Sequence, residues 1–244
     1  MKIGIIVQTR MGSTRLPGKV LMEADTKNLM LDYSINQLKS CENFDNLIIA
    51  TTNLERDNKI EEHCKSIQIE FFRGDEKDVL GRHYLCAKKY SLTHIVRIPS
   101  DKPLIDPKIV DMIIEFFIKN EFDYVANFQV YEENNSLKFN STYPSGTEVE
   151  MFSFEALENA WKNAKNNDER EHVTPYIYLN PEKFRIKIIT QKQDLSHFRW
   201  SLDYETDLLV IREIIKNVDN RPILMNDIIN FLDKNPKIKN MNNN

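Results

Sequence analysis

Three cysteines, six glycines and a formal net charge of only −4 leave this 244-residue chain short of several features that commonly betray a function. Cys41, Cys64 and Cys86 form no Cys-x-x-Cys pair and are odd in number, which favours packing thiols in a reducing compartment over disulfides or zinc. No segment approaches the roughly 18 to 20 apolar residues needed to span a bilayer, and the amino terminus lacks a basic region followed by a long apolar run. A cytoplasmic protein without a membrane partner is therefore expected. The charge balance excludes a broad basic face and with it general nucleic-acid binding. No internal repeat occurs, and the one low-complexity stretch is the polar segment 234–244, which is expected to fray. What remains is a chain that is 41% apolar and long enough to bury a large core, expected to form a single domain over 1–233.

Apolar periodicity gives the element order. A strand over 3–7 is followed by a helix carrying Leu31, Ile35 and Leu38, then by a strand at 47–51. The unit returns with Ile60 and Cys64 on a polar helix before a strand at 69–72, and with a helix from about 77 to 90 before a strand at 94–98. Such alternation implies right-handed crossovers and a mostly parallel sheet covered by helices on both faces, an α/β three-layer sandwich. Asp106 and Pro107 read as cap and first residue of the next helix. The second half abandons strict alternation, which predicts a mixed sheet: a strand at 124–127, a loop to Gly146, a strand near 148–152, a helix from Ser153, strands near 184–189 and 198–202, and two closing amphipathic helices.

The densest chemical signal lies at residues 10–19, Arg-Met-Gly-Ser-Thr-Arg-Leu-Pro-Gly-Lys, directly after the first strand. Open parallel sheets bind ligands beyond the carboxyl ends of their strands. Arg10, Arg15 and Lys19 can make charge-assisted bonds to several phosphate oxygens, Ser13 and Thr14 can donate, and Gly12 and Gly18 let backbone approach a ligand. A polyphosphate is the ligand this composition serves. The loop is neither the Gly-x-x-x-x-Gly-Lys-Ser/Thr form, because Val20 follows Lys19, nor Gly-x-Gly-x-x-Gly.

This segment resembles the amino-terminal signature of the cytidylyltransferases that activate 3-deoxy-manno-octulosonate and acylneuraminate, and in particular the spore coat polysaccharide biosynthesis protein F group. The resemblance implies the nucleotide-diphospho-sugar transferase (GT-A-like) fold, CTP and Mg2+ as partners, and homodimerisation, with the acceptor pocket and dimer arm within about 128–190. It extends through five further segments. Asp101 in Arg97-Ile-Pro-Ser-Asp-Lys-Pro-Leu-Ile, and Asp203 before a helix in Trp200-Ser-Leu-Asp-Tyr-Glu-Thr-Asp-Leu, match the positions of magnesium ligands, with Ser100 beside the nucleotide. Arg73 in Arg-Gly-x-x-x-Asp-Val-Leu-x-Arg is implied to lie near base or ribose. Tyr143-Pro-Ser-Gly-Thr-Glu-Val-Glu and Arg170-Glu-His-Val-Thr complete the match.

Alternation with Val149 puts Glu148 and Glu150 on one sheet face, where they could hold hydroxyl or amino groups of an acceptor, while Arg170 and His172 could meet its acidic or phosphate group. Arg170 and Glu171 could equally form a structural ion pair. Lys102 stands where the octulosonate enzymes are acidic, and either reaches a phosphate or substrate or is simply solvated. Asp207, one turn beyond Asp203, reads as a first-turn acid favouring the helix dipole. The reading is a magnesium-dependent transfer of CMP from CTP to a sugar acid or phosphorylated acceptor. Two rivals stand beside it: a glycosyltransferase of the same fold, although its usual Asp-x-Asp is here Ser100-Asp101-Lys102, and a non-catalytic nucleotide-binding relative, although Lys19, Asp101 and Asp203 are all present.

Overall fold

In strand β1 (Ile3–Gln8), Ile3, Ile5 and Val7 join one hydrophobic cluster and Ile6 joins another, as a period of two requires for a strand buried on both faces. The computed structural model of the chain describes residues 1–133 and 136–242. Its main sheet has seven strands in the order β3-β2-β1-β4-β8-β5-β9. β2 (Asn46–Thr52), β3 (Glu70–Gly74) and β4 (His94–Pro99) run parallel with β1, so their carboxyl ends share one edge. β8 (Glu150–Ser153) lies antiparallel between β4 and β5 (Tyr124–Ala126), and β9 (Ile186–Ile188) pairs parallel with β5. The sheet is thus mostly parallel and mixed, as the change of pattern after the fourth strand implies.

Helices cover both faces. α1 (Met30–Leu38), α2 (Asn58–Ser66) and α4 (Pro107–Lys119) contribute Leu31, Ile35, Ile60, Val110 and Ile113 to the cluster containing Ile5. On the other face α3 (Val79–Lys89) and α5 (Phe154–Asn163) supply Leu80, Tyr84, Leu157 and Ala160 around Ile6. The closing helices, α8 (Glu205–Asn217) and α9 (Met225–Lys234), build a third cluster on Trp200 and Leu104. Local chemistry sets their starts: Asp106 accepts from the amide of Lys108 (2.8 Å) with Pro107 following, and Ser153 accepts from that of Ala156 (3.0 Å). All three cysteines are buried and unpaired.

Three segments differ from expectation. The stretch before Gly146 contains an antiparallel pair, β6 (Gln129–Glu133) with β7 (Ser136–Asn140); residues 134–135 lie outside the described residues. Residues 198–202 are extended but join no ladder, because their backbone groups bond to two loops: Trp200 N to Ser145 O (2.8 Å) and Leu202 N to Asp101 O (2.7 Å). Gly146 sustains this crossing at φ +109°, where an added Cβ would lie 2.7 Å from the Trp200 ring. The segment from 234, expected to fray, forms α10 (Pro236–Lys239) and leads to a buried Asn242. Two further short helices, α6 (Asn167–His172) and α7 (Pro175–Tyr178), complete the elements used below.

One buried group carries a pH prediction. Burial, and after it the charge of Arg97, push the fully buried imidazole of His83 down to about 3. In the unfolded chain this ring protonates near its ordinary value of about 6.5, so below that pH unfolding takes up a proton. Stability should therefore fall as pH drops from about 6.5 toward 3, by at most about 1.4 kcal/mol per pH unit from this group. Thermal melts between pH 7 and pH 4 test this: His83→Gln should lose less melting temperature over that span than the native chain, and equal losses would refute it.

Candidate active site

The basic loop leaves β1 and folds back on itself, the amides of Ser13 and Gly18 both donating to the Met11 carbonyl at 3.0 Å. Gly18 takes the left-handed conformation at φ +73° and starts a single 3-10 turn that delivers Lys19. Asp57, wholly buried after β2, accepts from the Met11 amide (2.8 Å) and from the Thr52 hydroxyl, and so pins the loop to the neighbouring strand. At the end of β4 the Ser100 amide donates to Gln8 O (2.9 Å), which keeps Asp101 beside the loop. The bond from Leu202 N to Asp101 O brings in the third segment, and Asp203 follows. Asp207 accepts from the amides of Asp203 (2.8 Å) and Tyr204 (2.9 Å), capping α8 as a first-turn acid should.

Asp203 is the electrostatic centre. Its Oδ1 meets Arg15 at 2.6 Å and Lys19 at 3.1 Å, and its Oδ2 meets Arg199 at 2.9 Å. The Lys19 ammonium also donates to Leu202 O. Burial alone would push the Asp203 carboxyl up, but Lys19, Arg199 and Arg15 together hold it below the usual carboxylate range. Asp101 stands in contrast: its Oδ1 is shielded from solvent and has no hydrogen-bond partner.

Two hollows open on either side of this pair. One, of about 340 Å³, is lined by Arg10, Ser13, Thr14, Arg15, Lys19, Ser100 and His172. The other, of about 240 Å³, is lined by Lys102, Glu148, Glu150, Arg199 and the stacked rings of Phe128 and Phe139. Arg97, Pro99, Asp101 and Asp203 line both and form the shared wall.

The expected site residues distribute unevenly over this geometry. Arg10, Arg15, Lys19, Ser13 and Ser100 face the first hollow. Gly12 is set back from it, and the close approach there is to the Arg56 guanidinium, 2.6 Å from where a Cβ would stand. Glu148 and Glu150 share the second hollow, as alternation requires, but both are engaged. Glu148 accepts from the Gly146 amide (2.9 Å) and pairs with Lys102 at 3.2 Å. Glu150 is 2% exposed, pairs with Arg97 at 2.5 Å and accepts from the Tyr124 and Thr174 hydroxyls at 2.6 and 2.7 Å. Lys102 is buried and paired, and so is not a solvated turn lysine.

Three placements correct the expectations. His172 lines the first hollow and not the second, which Glu148 and Glu150 line. Arg170 lines neither hollow: it bonds Trp161 O (3.1 Å) and lies 3.6 Å from Asp78, in a separate depression by the start of α3. Arg73 spends its donors on Thr52 O, Leu54 O, Asn58 and Glu61, at 2.6–2.8 Å, stapling β3 to β2 and α2. Arg73→Ala should accordingly cost about 1–2 kcal/mol of stability, since its bonds are partly exposed, and leave nucleotide affinity within about twofold. Urea denaturation and calorimetric titration with CTP separate the two, and a large affinity loss would restore Arg73 to the site.

Arg97 and Arg199 lie outside the residues expected to carry chemistry. Arg97, in the shared wall, donates to Gln8 Oε1 (3.0 Å). A lone charge within the apolar run His94-Ile-Val-Arg-Ile was its available signal. Nothing in Phe198-Arg-Trp marks Arg199 before the loop crossing is known.

Similarity to known proteins agrees with this arrangement. The family model described as Cytidylyltransferase matches residues 4–219. An uncharacterized protein of Methanocaldococcus jannaschii is 41% identical over 100% of this chain and 96% of its own length. The spore coat polysaccharide biosynthesis protein SpsF of Bacillus subtilis is 29% identical over 95% of this chain and 94% of its own. A solved cytidylyltransferase from Leptospira borgpetersenii superimposes with a TM-score of 0.90 at 32% identity, over 100% of this chain and 98% of that one. A cationic loop facing two carboxylates, in a chain matched over nearly its whole length, leads to one statement of kinship: this protein belongs to the cytidylyltransferase family.

Proposed function

We propose that the protein transfers CMP from CTP to a sugar acid or phosphorylated sugar-like acceptor, releasing pyrophosphate, and that it serves surface polysaccharide or glycan biosynthesis. The observation that carries this reading is the wall shared by the two hollows, with a cationic loop on one side and a polar, aromatic-edged cavity on the other. Arg10, Arg15 and Lys19 hold the triphosphate in the first hollow, with Ser13 and Ser100 beside it. The acceptor occupies the second, where Glu148 takes its hydroxyl or amino hydrogens and the Phe128 and Phe139 rings cover its carbon face. An acceptor oxygen, already deprotonated on a phosphate or giving its proton to solvent if it is a hydroxyl, then attacks the α-phosphorus in line, the bond to the β-phosphate breaks, and pyrophosphate leaves toward the loop. Catalysis is chiefly positioning and charge neutralisation.

Asp101 and Asp203 are the residues that would hold Mg2+. Among the described residues no group of three or more His, Cys, Asp or Glu forms a metal cage. Two carboxylates nonetheless suit Mg2+, which is commonly held by one or two carboxylates together with substrate phosphates. The partnerless, shielded Oδ1 of Asp101 is the observation that fits a cation there. When bound, the ion would neutralise charge on the reacting and leaving phosphates. Arg15 and Lys19, which pair with Asp203 in this structure, are freed to meet phosphate oxygens as the triphosphate arrives.

Among the described residues no helix is long and apolar enough to cross a membrane. Homodimerisation and a cytoplasmic location belong to the same proposal. Incubation with Mg2+, CTP and a panel of acceptors, followed by pyrophosphate assay, tests the function. Release that requires both CTP and an acceptor supports it. Turnover of nucleotide sugars alone would favour a glycosyltransferase, and CTP binding without turnover a non-catalytic relative.

A further inference from the structure

We infer that Asn242 is a positioning residue for the Asp203 site; this rests on the role given to Asp203 above. Asn242 lies beyond the family-matched region, which ends at residue 219, and is 5% exposed. α10 carries the chain back over the extended 198–202 segment, with the Lys239 ammonium 3.9 Å from the centre of the Phe198 ring. The Asn242 amide nitrogen then donates to Asp207 Oδ1 (3.0 Å) and to Arg199 O (3.3 Å).

Those two partners are the groups that hold Asp203 from its own segment. Arg199 binds the Asp203 carboxylate, Asp207 accepts the Asp203 amide, and Arg199 and Asp207 are joined at 3.3 Å. Asn242 closes this triangle from outside. Its carboxamide suits the place because Asp207 already serves two backbone amides and a guanidinium. A neutral donor adds a bond at Oδ1 without competing with Arg199 for the carboxylate, as a lysine would. The Asp203 carboxylate is thereby held toward Lys19 and Arg15 in the cleft.

Full-length Asn242→Asp and Asn242→Ala variants, with Asp203→Asn alongside, test the inference through calorimetric CTP affinity, KM for CTP and melting temperature. Asn242→Asp keeps the side-chain shape but removes the donors and sets a carboxylate against Asp207. It should weaken CTP binding and raise KM about tenfold, the scale of one lost bond to a charged group, while Asn242→Ala should do so less. A packing role predicts the opposite order. Native-like affinity and KM in Asn242→Asp beside an impaired Asp203→Asn would overturn the inference alone. A native-like Asp203→Asn would overturn the Asp203 reading and this inference together.

Discussion

Asp101→Asn should abolish most turnover while leaving the fold intact, with kcat reduced roughly 10³-fold, the scale expected when a metal ligand supplying several kcal/mol of charge stabilisation is lost. The asparagine is nearly isosteric, and the atom it changes makes no hydrogen bond in this structure: Asp101 Oδ1 is shielded and partnerless, while the backbone carbonyl that holds Leu202 is untouched. A carboxylate kept without a partner at the junction of two hollows brings little stability that its amide would lose. Melting temperature should therefore stay within a degree or two of native, or rise, as pyrophosphate release collapses. Full activity in Asp101→Asn would remove Asp101 from the reaction, and a large drop in melting temperature would make it a structural residue.

Lys19→Ala is the second substitution with a large expected effect, a loss of about 10²- to 10³-fold in kcat/KM for CTP, in the range seen when one preorganised charge-stabilising donor is removed. Lys19 is 9% exposed and bonds both Leu202 O and the Asp203 carboxylate, so its loss also costs about 1–2 kcal/mol of stability. Arg15 and Arg199 remain on Asp203 and limit that cost. Because Lys19 helps hold the Asp203 carboxyl low, the variant's Asp203 should titrate at higher pH, and stability should be lost earlier as acid is added. Affinity for CTP should fall far more than affinity for CMP if the ammonium serves the outer phosphates as proposed. Calorimetric titrations with the two nucleotides decide the point; parallel losses would mean that Lys19 acts only as a structural partner of Asp203.

Much of the fold was legible residue by residue. The two-residue alternation of β1 and the three- to four-residue spacing of Leu31, Ile35 and Leu38 are local patterns of burial, and Asp106-Pro107 and Ser153 announce helix starts within a few residues of the bonds they make. The failures share a cause. Residues 198–202 look like a strand because they are apolar and extended, yet their partners are the loops at Asp101 and Ser145, remote in sequence. The strands at 129–133 and 136–140 pair only with each other, in a two-stranded sheet apart from the seven-stranded one. The carboxy-terminal segment is mostly polar, and its bonds to Asp207 and Arg199, remote in sequence, are what bury Asn242.

The candidate site divides the same way. The cluster of Arg10, Ser13, Arg15 and Lys19 was readable because four polar groups sit within ten residues after one strand. Arg73 was misplaced because a guanidinium in a motif looks the same whether it faces a ligand or, as here, Glu61 and three other acceptors. By itself the sequence determined most of the order of elements, the dense positive charge of the first loop and the two aspartates worth watching, since periodicity, capping and charge density are short-range properties of the chain. Tertiary structure alone decided that Asp203 is ringed by Arg15, Lys19 and Arg199 while Asp101 keeps a free oxygen, and that Arg97 lies between the two hollows. Burial and ion pairing depend on atoms brought together from segments up to 188 residues apart, and no local pattern encodes which of several similar charges will meet.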